Sequence, residues 1–344
     1  MSRSRAFGII ASVLAAVSLP ATIATFAHAE TADDFFKGKQ INLIIGYNPG
    51  GTYDIYARLA ASLLPKYIPG NPRIIPQNMP GVGSAKAGDY LFNQAPRDGL
   101  TIGVIGQQLV VSQALGDASI KFDISKFNWL GRFTSGGEIT AIWHTSPTKT
   151  LADAMKRETT VAATSAGSSS DSMPLLMNRL AGTNFRIIKG YSGIIGTLLA
   201  MERGETEGGH GTVEQMLFNK RDWLREKKAS VLVQYTMTRH PAFPDAPAMG
   251  EFGKTPLDKQ VLALFAGTAE IGRAMMAPPG VPAERLAVLR KALDDMLKDP
   301  AFKQEIEQRG LEFGPMSGVE LQSRVAAMLG VSHEVVKHAI ASSR

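Results

Sequence analysis

Two short segments carry residue types that handle an anion without side-chain catalysis. Asn48-Pro49-Gly50-Gly51-Thr52-Tyr53-Asp54 follows one apolar run, and Thr164-Ser165-Ala166-Gly167-Ser168-Ser169-Ser170-Asp171 follows another. Adjacent glycines let backbone N–H groups turn toward one point without Cβ obstruction. A helix starting behind them adds the positive end of its dipole, so such amides form an anion site. The hydroxyls and amides of the second segment are placed to donate to the other end of an anionic ligand, each bond to a charged group being worth about 1.5–3 kcal/mol. Spacing alone leaves two plain alternatives open: the glycines serve as a tight turn, and the serines as a solvated linker. Asp54 likewise fits an ordinary first-turn acid favoured by the helix dipole.

Motifs for chemistry are incomplete elsewhere. Gly250-Glu251-Phe252-Gly253-Lys254-Thr255 ends like a phosphate loop, but Ala248 stands where the earlier glycine is required. His333-Glu334-Val335-Val336-Lys337-His338 has its second histidine one residue late for a zinc helix, about 100° off the useful face. Gly81-Val82-Gly83-Ser84-Ala85-Lys86 lacks the third glycine of a dinucleotide loop, and no serine sits in a Gly-x-Ser-x-Gly elbow. His144 and His210 stand alone, and His210, between Gly209 and Gly211, is the one to watch. Trp129, Trp143 and Trp223 are far apart in sequence and fit core packing better than a stacking platform. With no cysteine, thiol catalysis and cysteine metal sites are excluded. No catalytic residue, cofactor or metal is expected.

The elements that must position the two segments alternate between strand and helix. Ile41 to Gly46 is a continuous apolar run, followed by the glycines and by Ile55, Leu59 and Leu63, whose spacing of four puts them on one helix face. Further strands are expected at Arg73–Ile75, Thr101–Ile105, Ile139–Trp143, Val161–Thr164, Phe185–Ile188 and Val231–Tyr235. Such alternation favours parallel α/β sheets. Near the C-terminus Pro282 opens a helix striped by Leu286, Leu289, Leu293 and Leu297, and Asp299-Pro300 stops it and opens another that ends at Gly310. Ser317-Gly318-Val319-Glu320 has capping-box spacing ahead of one long final helix.

At the N-terminus Arg3 and Arg5 precede an apolar run that ends in Ala27-His28-Ala29, the three parts of a secretory leader cleaved after Ala29. Ser18 and Pro20 interrupt the run below the ~20 residues a membrane span needs. A soluble mature chain in the periplasm is expected. Cleavage removes two arginines and no acid, so the formal charge of +6 falls by two. Basic residues are scattered among acids, which argues against nucleic acid as a partner. More than 300 residues exceed what one core organises, so two lobes are expected.

Taken in order, Tyr47-Asn48-Pro49-Gly50-Gly51-Thr52-Tyr53-Asp54 with Ala57-Arg58, Gln77-Asn78-Met79-Pro80-Gly81-Val82-Gly83 and Ala95-Pro96-Arg97-Asp98-Gly99 resemble the substrate-binding proteins of tripartite tricarboxylate transporters, the Bug or TctC-like family. Gly190-Tyr191-Ser192-Gly193, Glu202 to Gly208, Ala277-Pro278-Pro279-Gly280-Val281-Pro282 and Arg309-Gly310-Leu311 extend the resemblance over nearly the whole mature chain. It implies a type II periplasmic binding fold, two α/β lobes joined by two crossing strands, with residues 30–137 and 270–344 in one lobe and 138–269 in the other. It further implies a small carboxylate ligand held between the loops around Tyr47, Pro49, Gly50, Gly51, Thr52 and Asp54 and around Ser165, Ala166, Ser168 and Ser169, largely by backbone amides and ordered water. Asn78, Gly81, Gln107, Tyr191 and Thr212 are the expected cleft neighbours. The implied partners are one small and one large integral membrane subunit, and a monomer suits a hinge that opens and closes.

Two departures bear on the ligand. Tyr47-Asn48 replaces a phenylalanine and proline common in the family, and the serine-rich second loop lacks a histidine that many members carry. Asp171 would repel an additional carboxylate, so the expected ligand is a dicarboxylate, aromatic acid or related organic acid rather than a tricarboxylate. A sensory module that signals to a membrane kinase, and a periplasmic enzyme, are the rival classes.

Overall fold

The computed structural model describes residues 32–164 and 166–343. The expected leader, its cleavage point and Ser165 lie outside the described residues. Strand β1 (Gln40–Ile45) is buried on both faces: Ile41, Leu43 and Ile45 enter one apolar cluster and Ile44 the opposite one. That is why the segment reads as a continuous apolar run rather than an alternation. β1 pairs in parallel with β2 (Arg73–Asn78) and β3 (Thr101–Val104).

Antiparallel β10 (Arg273–Ala277) extends this sheet, β4 (Asn128–Thr134) pairs antiparallel with β10, and short β11 (Met316–Ser317) ends it in the order β11-β4-β10-β3-β1-β2. The second sheet runs β7-β6-β8-β5-β9, from β5 (Glu138–Trp143), β6 (Thr159–Ala162), β7 (Phe185–Ile188), β8 (Gly208–Thr212) and β9 (Ala229–Gln234). The sheets share one plan. β2-β1-β3-β10-β4 corresponds to β7-β6-β8-β5-β9, and in each the antiparallel fourth strand is the one that has just entered from the other lobe. This is the two-lobed α/β plan of type II periplasmic binding proteins. The sheets are therefore mixed rather than wholly parallel.

Two crossing segments join the lobes side by side, and the Gly136 amide donates to the Ala269 carbonyl at 2.8 Å. Glycine is required at Gly272 by the backbone and favoured at Gly136 by side-chain packing. At Gly272 φ is +58° and a Cβ would lie 2.0 Å from the Thr134 oxygen, while a Cβ on Gly136 would lie 1.8 Å from Gln107 Oε1.

The C-terminal signals are realised at Ala283–Lys298 and Pro300–Gln308, where Asp299 accepts from the Ala301 amide at 2.7 Å. The expected single long final helix is two, Gly318–Leu329 and His333–Ser342. Gly330 ends the first, and the Ser332 hydroxyl caps the second by accepting from Val335 N–H at 3.3 Å. The helix His333–Ser342 packs Val335 and Ala339 into the core of the second sheet, and His338 Nε2 meets Asp258 Oδ1 at 2.7 Å. Trp143 and Trp223, distant in sequence, meet edge to face at 4.9 Å in the second lobe, while Trp129 is buried in the first. Among the described residues no helix is long and apolar enough to cross a membrane, and no group of three or more metal-ligating side chains is assembled.

Candidate functional site

Both anion-handling segments connect the C-terminal end of a parallel strand to a helix: β1 to Thr52–Leu63 and β6 to Ser169–Leu176. The same brace holds each one. The Gly50 amide donates to Asp54 Oδ2 at 2.9 Å, and the Gly167 amide donates to Asp171 Oδ2 at 2.9 Å. Each aspartate also has a cation, Arg58 at 2.9 Å from Asp54 and Lys189 at 3.0 Å from Asp171. Burial opposes ionisation of Asp54, but Arg58, the Gly50 amide and Asn78 outweigh it and hold its carboxyl below the usual range. Asp171 is 5% exposed. Lys189 pairs with its charge within its own lobe.

Behind the first loop Tyr47 stacks on Tyr53 with ring centres 4.3 Å apart. Asn78 Nδ2 donates to the Tyr47 carbonyl at 2.9 Å and to Asp54 Oδ1 at 2.8 Å, and Gln108 Nε2 donates to the Tyr47 hydroxyl at 2.9 Å. Gln108 also reaches the Gly83 carbonyl, at 3.3 Å, which ties the turn headed by Gly81 to this loop. Asn48 to Gly51 stay exposed. The N–H groups of Thr52 and Tyr53 head the helix, where no intrahelical acceptor exists. In the second loop the hydroxyls of Thr164, Ser168 and Ser170 form a ring of contacts at 2.8–3.1 Å.

The floor between the loops holds a buried polar cluster contributed by both lobes. The Gln107 amide donates to the Tyr53 hydroxyl oxygen at 3.2 Å, and Gln107 Nε2 donates to the Gly136 carbonyl at 2.9 Å. Arg273 donates to Gln107 Oε1 at 3.1 Å, lies 3.4 Å from Glu214 Oε1 and sits over the Tyr53 ring at 4.6 Å. Burial raises the Glu214 carboxyl, with Arg273 opposing it. Glu138, the first residue of β5, meets His210 Nε2 at 3.2 Å and bonds the Ser169 hydroxyl of the second loop. Burial works against its charge, yet the His210 bond, Ser169 and Arg273 together hold its carboxyl below the usual range.

Tyr47, Gly50, Gly51 and Thr52 lie on the first loop, braced by Asp54 and Asn78, with Gln107 against Tyr53; Ser168 and Ser169 lie on the second loop, where Ser169 reaches Glu138. Pro49 and Ala166 are exposed on the two loops. Thr212 pairs opposite Glu138 across β8 and β5, but its hydroxyl accepts from Gln215 N–H at 3.2 Å. Tyr191 turns its hydroxyl to Glu205. Sequence reasoning flagged His210 but missed Glu138, Glu214, Arg273 and Gln108. A charged residue inside the otherwise apolar Arg273-Ala274-Met275-Met276-Ala277 was the one available signal. A cavity of about 480 Å³ opens beside the second loop, with Gln108, Val111 and Ser112 on one side and Gly167, Ser169 and Met173 on the other.

The model of the tripartite tricarboxylate transporter family receptor, TctC, matches residues 57–338. The chain belongs to this family. It is 25% identical over 334 residues to a UPF0065 protein of Bordetella bronchiseptica, covering 93% of this chain and 88% of that one. Among solved structures it resembles a TctC solute-binding protein from Polaromonas (TM-score 0.65, 18% identity, 88% of this chain and 98% of that one). It also resembles an R. palustris protein solved with adipate (TM-score 0.65, 20% identity, 88% and 97%). A third is MatC from Rhodopseudomonas palustris with bound malate (TM-score 0.62, 21% identity, 87% and 99%). At these identities the structures show a shared fold.

Proposed function

We propose that this receptor is a periplasmic solute-binding protein that captures a small organic acid between its lobes and delivers it, unchanged, to the small and large membrane subunits of a tripartite transporter. The observation that carries the reading is the paired construction of the two loops. Each is an exposed glycine-containing loop at the head of a helix, and each has its own aspartate paired with a cation of the same lobe. Two such loops favour an anion that touches both. The adipate and malate in the two R. palustris structures are carboxylates of this kind.

The mechanism follows from the same parts. A carboxylate bound to amides of both loops bridges the lobes, so its affinity is greatest when they are close, and ligand shifts the population toward the closed form. The cavity of about 480 Å³ beside the second loop lies within the size range of small-ligand sites, and Gly167 and Ser169 of that loop line it. The glycine and tyrosine loops and the Gln107 anchor act in a monomer.

Calorimetric titration with mono-, di- and tricarboxylates, sugars and divalent metals tests the reading, with product analysis after long incubation. Saturable binding of a carboxylate without turnover is expected. Binding of a sugar or metal alone, or sustained conversion of an acid, would contradict it.

A further inference from the structure

The cleft floor has a polarity of its own. Arg273, its buried cation, is committed on three sides: to Glu214 at 3.4 Å, to Gln107 Oε1 at 3.1 Å and to the face of Tyr53. Arg273 is 2% exposed, so a ligand carboxylate finds its donors in the loop amides rather than in this guanidinium. Glu138 differs. It is the first residue of β5, immediately beyond the hinge glycines, and its side chain keeps 13% exposure. Its carboxylate touches Ser169 of the second loop, and its charge acts on Tyr47 and Tyr53 of the first.

A carboxylate accepts at about four positions and donates at none. His210 Nε2 at 3.2 Å and the Ser169 hydroxyl occupy two of them. Because Glu138 can only accept, Nε2 must be the protonated nitrogen of His210. The Nδ1 atom is buried without a hydrogen-bond partner among the described residues, so the group that the ring leaves facing the floor is the Glu138 carboxylate. A ligand group arriving here meets acceptors and a negative charge. A second carboxylate is repelled, whereas a protonated nitrogen gains a charge-assisted hydrogen bond.

We propose that Glu138 is the specificity-determining residue of the cleft, selecting carboxylates that carry a protonated amino group over their deaminated analogues. The inference rests on the carboxylate-binding reading and narrows it to a zwitterionic ligand, with the carboxylate on the loop amides and the ammonium at Glu138.

The test uses matched pairs: aspartate and succinate, glutamate and glutarate, alanine and propionate, titrated calorimetrically into the mature wild-type protein and into Glu138→Gln. The wild type is expected to prefer the amino member of at least one pair by tenfold or more. Glu138→Gln is expected to lose that preference, binding the amino acid tenfold or more weakly while its deaminated partner binds as well or better. Glu138→Asp, which keeps the charge, is expected to retain part of the preference. Wild-type binding without preference for the amino member overturns this inference and leaves the carboxylate reading standing. Equal weakening of both members by Glu138→Gln, with an unchanged melting midpoint, also overturns it. Failure of every acid in a full carboxylate panel to bind the wild type overturns both.

Discussion

Asp54 and Asp171 each accept the amide of the glycine four residues earlier and face a cation of their own lobe. Asp54 is almost wholly enclosed, so truncating it frees the Gly50 amide, Arg58 and Asn78 at once. Asp54→Ala is expected to lower stability by about 1–3 kcal/mol in urea unfolding. The folded carboxyl is held below its ordinary value, so its contribution is complete above the unfolded pKa and is lost as pH falls through the lowered folded value. Asp54→Asn should therefore show a shallower loss of stability on acidification than the wild type. Gly51 contrasts with it: a Cβ there meets only the Asn48 oxygen at 3.8 Å. Gly51→Val is expected to keep the melting midpoint while weakening ligand binding tenfold or more by calorimetry, because the side chain covers the amides. At this scale the loops were legible because their residues are contiguous. Glu138, Glu214 and Arg273 were not, because only the crossing of the lobes brings positions so far apart in sequence to one floor.

Among the elements, the crossing segments and the floor form one unit. Gln107 Nε2 holds the Gly136 carbonyl, and Gln107 Oε1 receives Arg273. A methyl at position 136 would stand 1.8 Å from Gln107 Oε1 and 2.4 Å from Arg273 Nη1. Gly136→Ala is thus expected to destabilise the protein and to weaken ligand binding together, read by thermal melting and calorimetry. Arg273 and Glu214 are both nearly inaccessible, and removing one leaves the other buried without its partner. Arg273→Met is expected to lose about 3–5 kcal/mol, and the double variant with Glu214→Gln to recover part of it. The strands that the sequence showed are those with apolar runs, such as β1 and β7. Strand β8, Gly208-Gly209-His210-Gly211-Thr212, was invisible because its burial comes from neighbours on both sides rather than from its own side chains. The break between the last two helices was missed because the apolar pattern continues through it, although Gly330 as a stop and Ser332 as a cap both mark it.

The whole molecule repeats one architectural plan twice and joins the copies at a hinge, so a ligand that touches both glycine- and serine-rich loops reports on their separation. The type II fold was readable in advance mainly through ordered resemblance, since alternation of strands and helices alone pointed to parallel sheets and the structure has mixed ones. On the proposed selectivity, the group that disfavours a second ligand carboxylate is Glu138, beside Ser169, rather than Asp171, which Lys189 pairs. Ligand at about 100 times its dissociation constant adds roughly 2.7 kcal/mol, enough to raise the midpoint of a chain this size by about 4 °C. The most direct measurement is a thermal-shift panel of carboxylates, sugars and metals on the wild type and on Gly51→Val in parallel. The expected result is a shift of this order with at least one carboxylate in the wild type and its loss in the variant. A shift with a sugar or metal alone, or an undiminished carboxylate shift in Gly51→Val, would contradict the assignment of the two loops as the anion site.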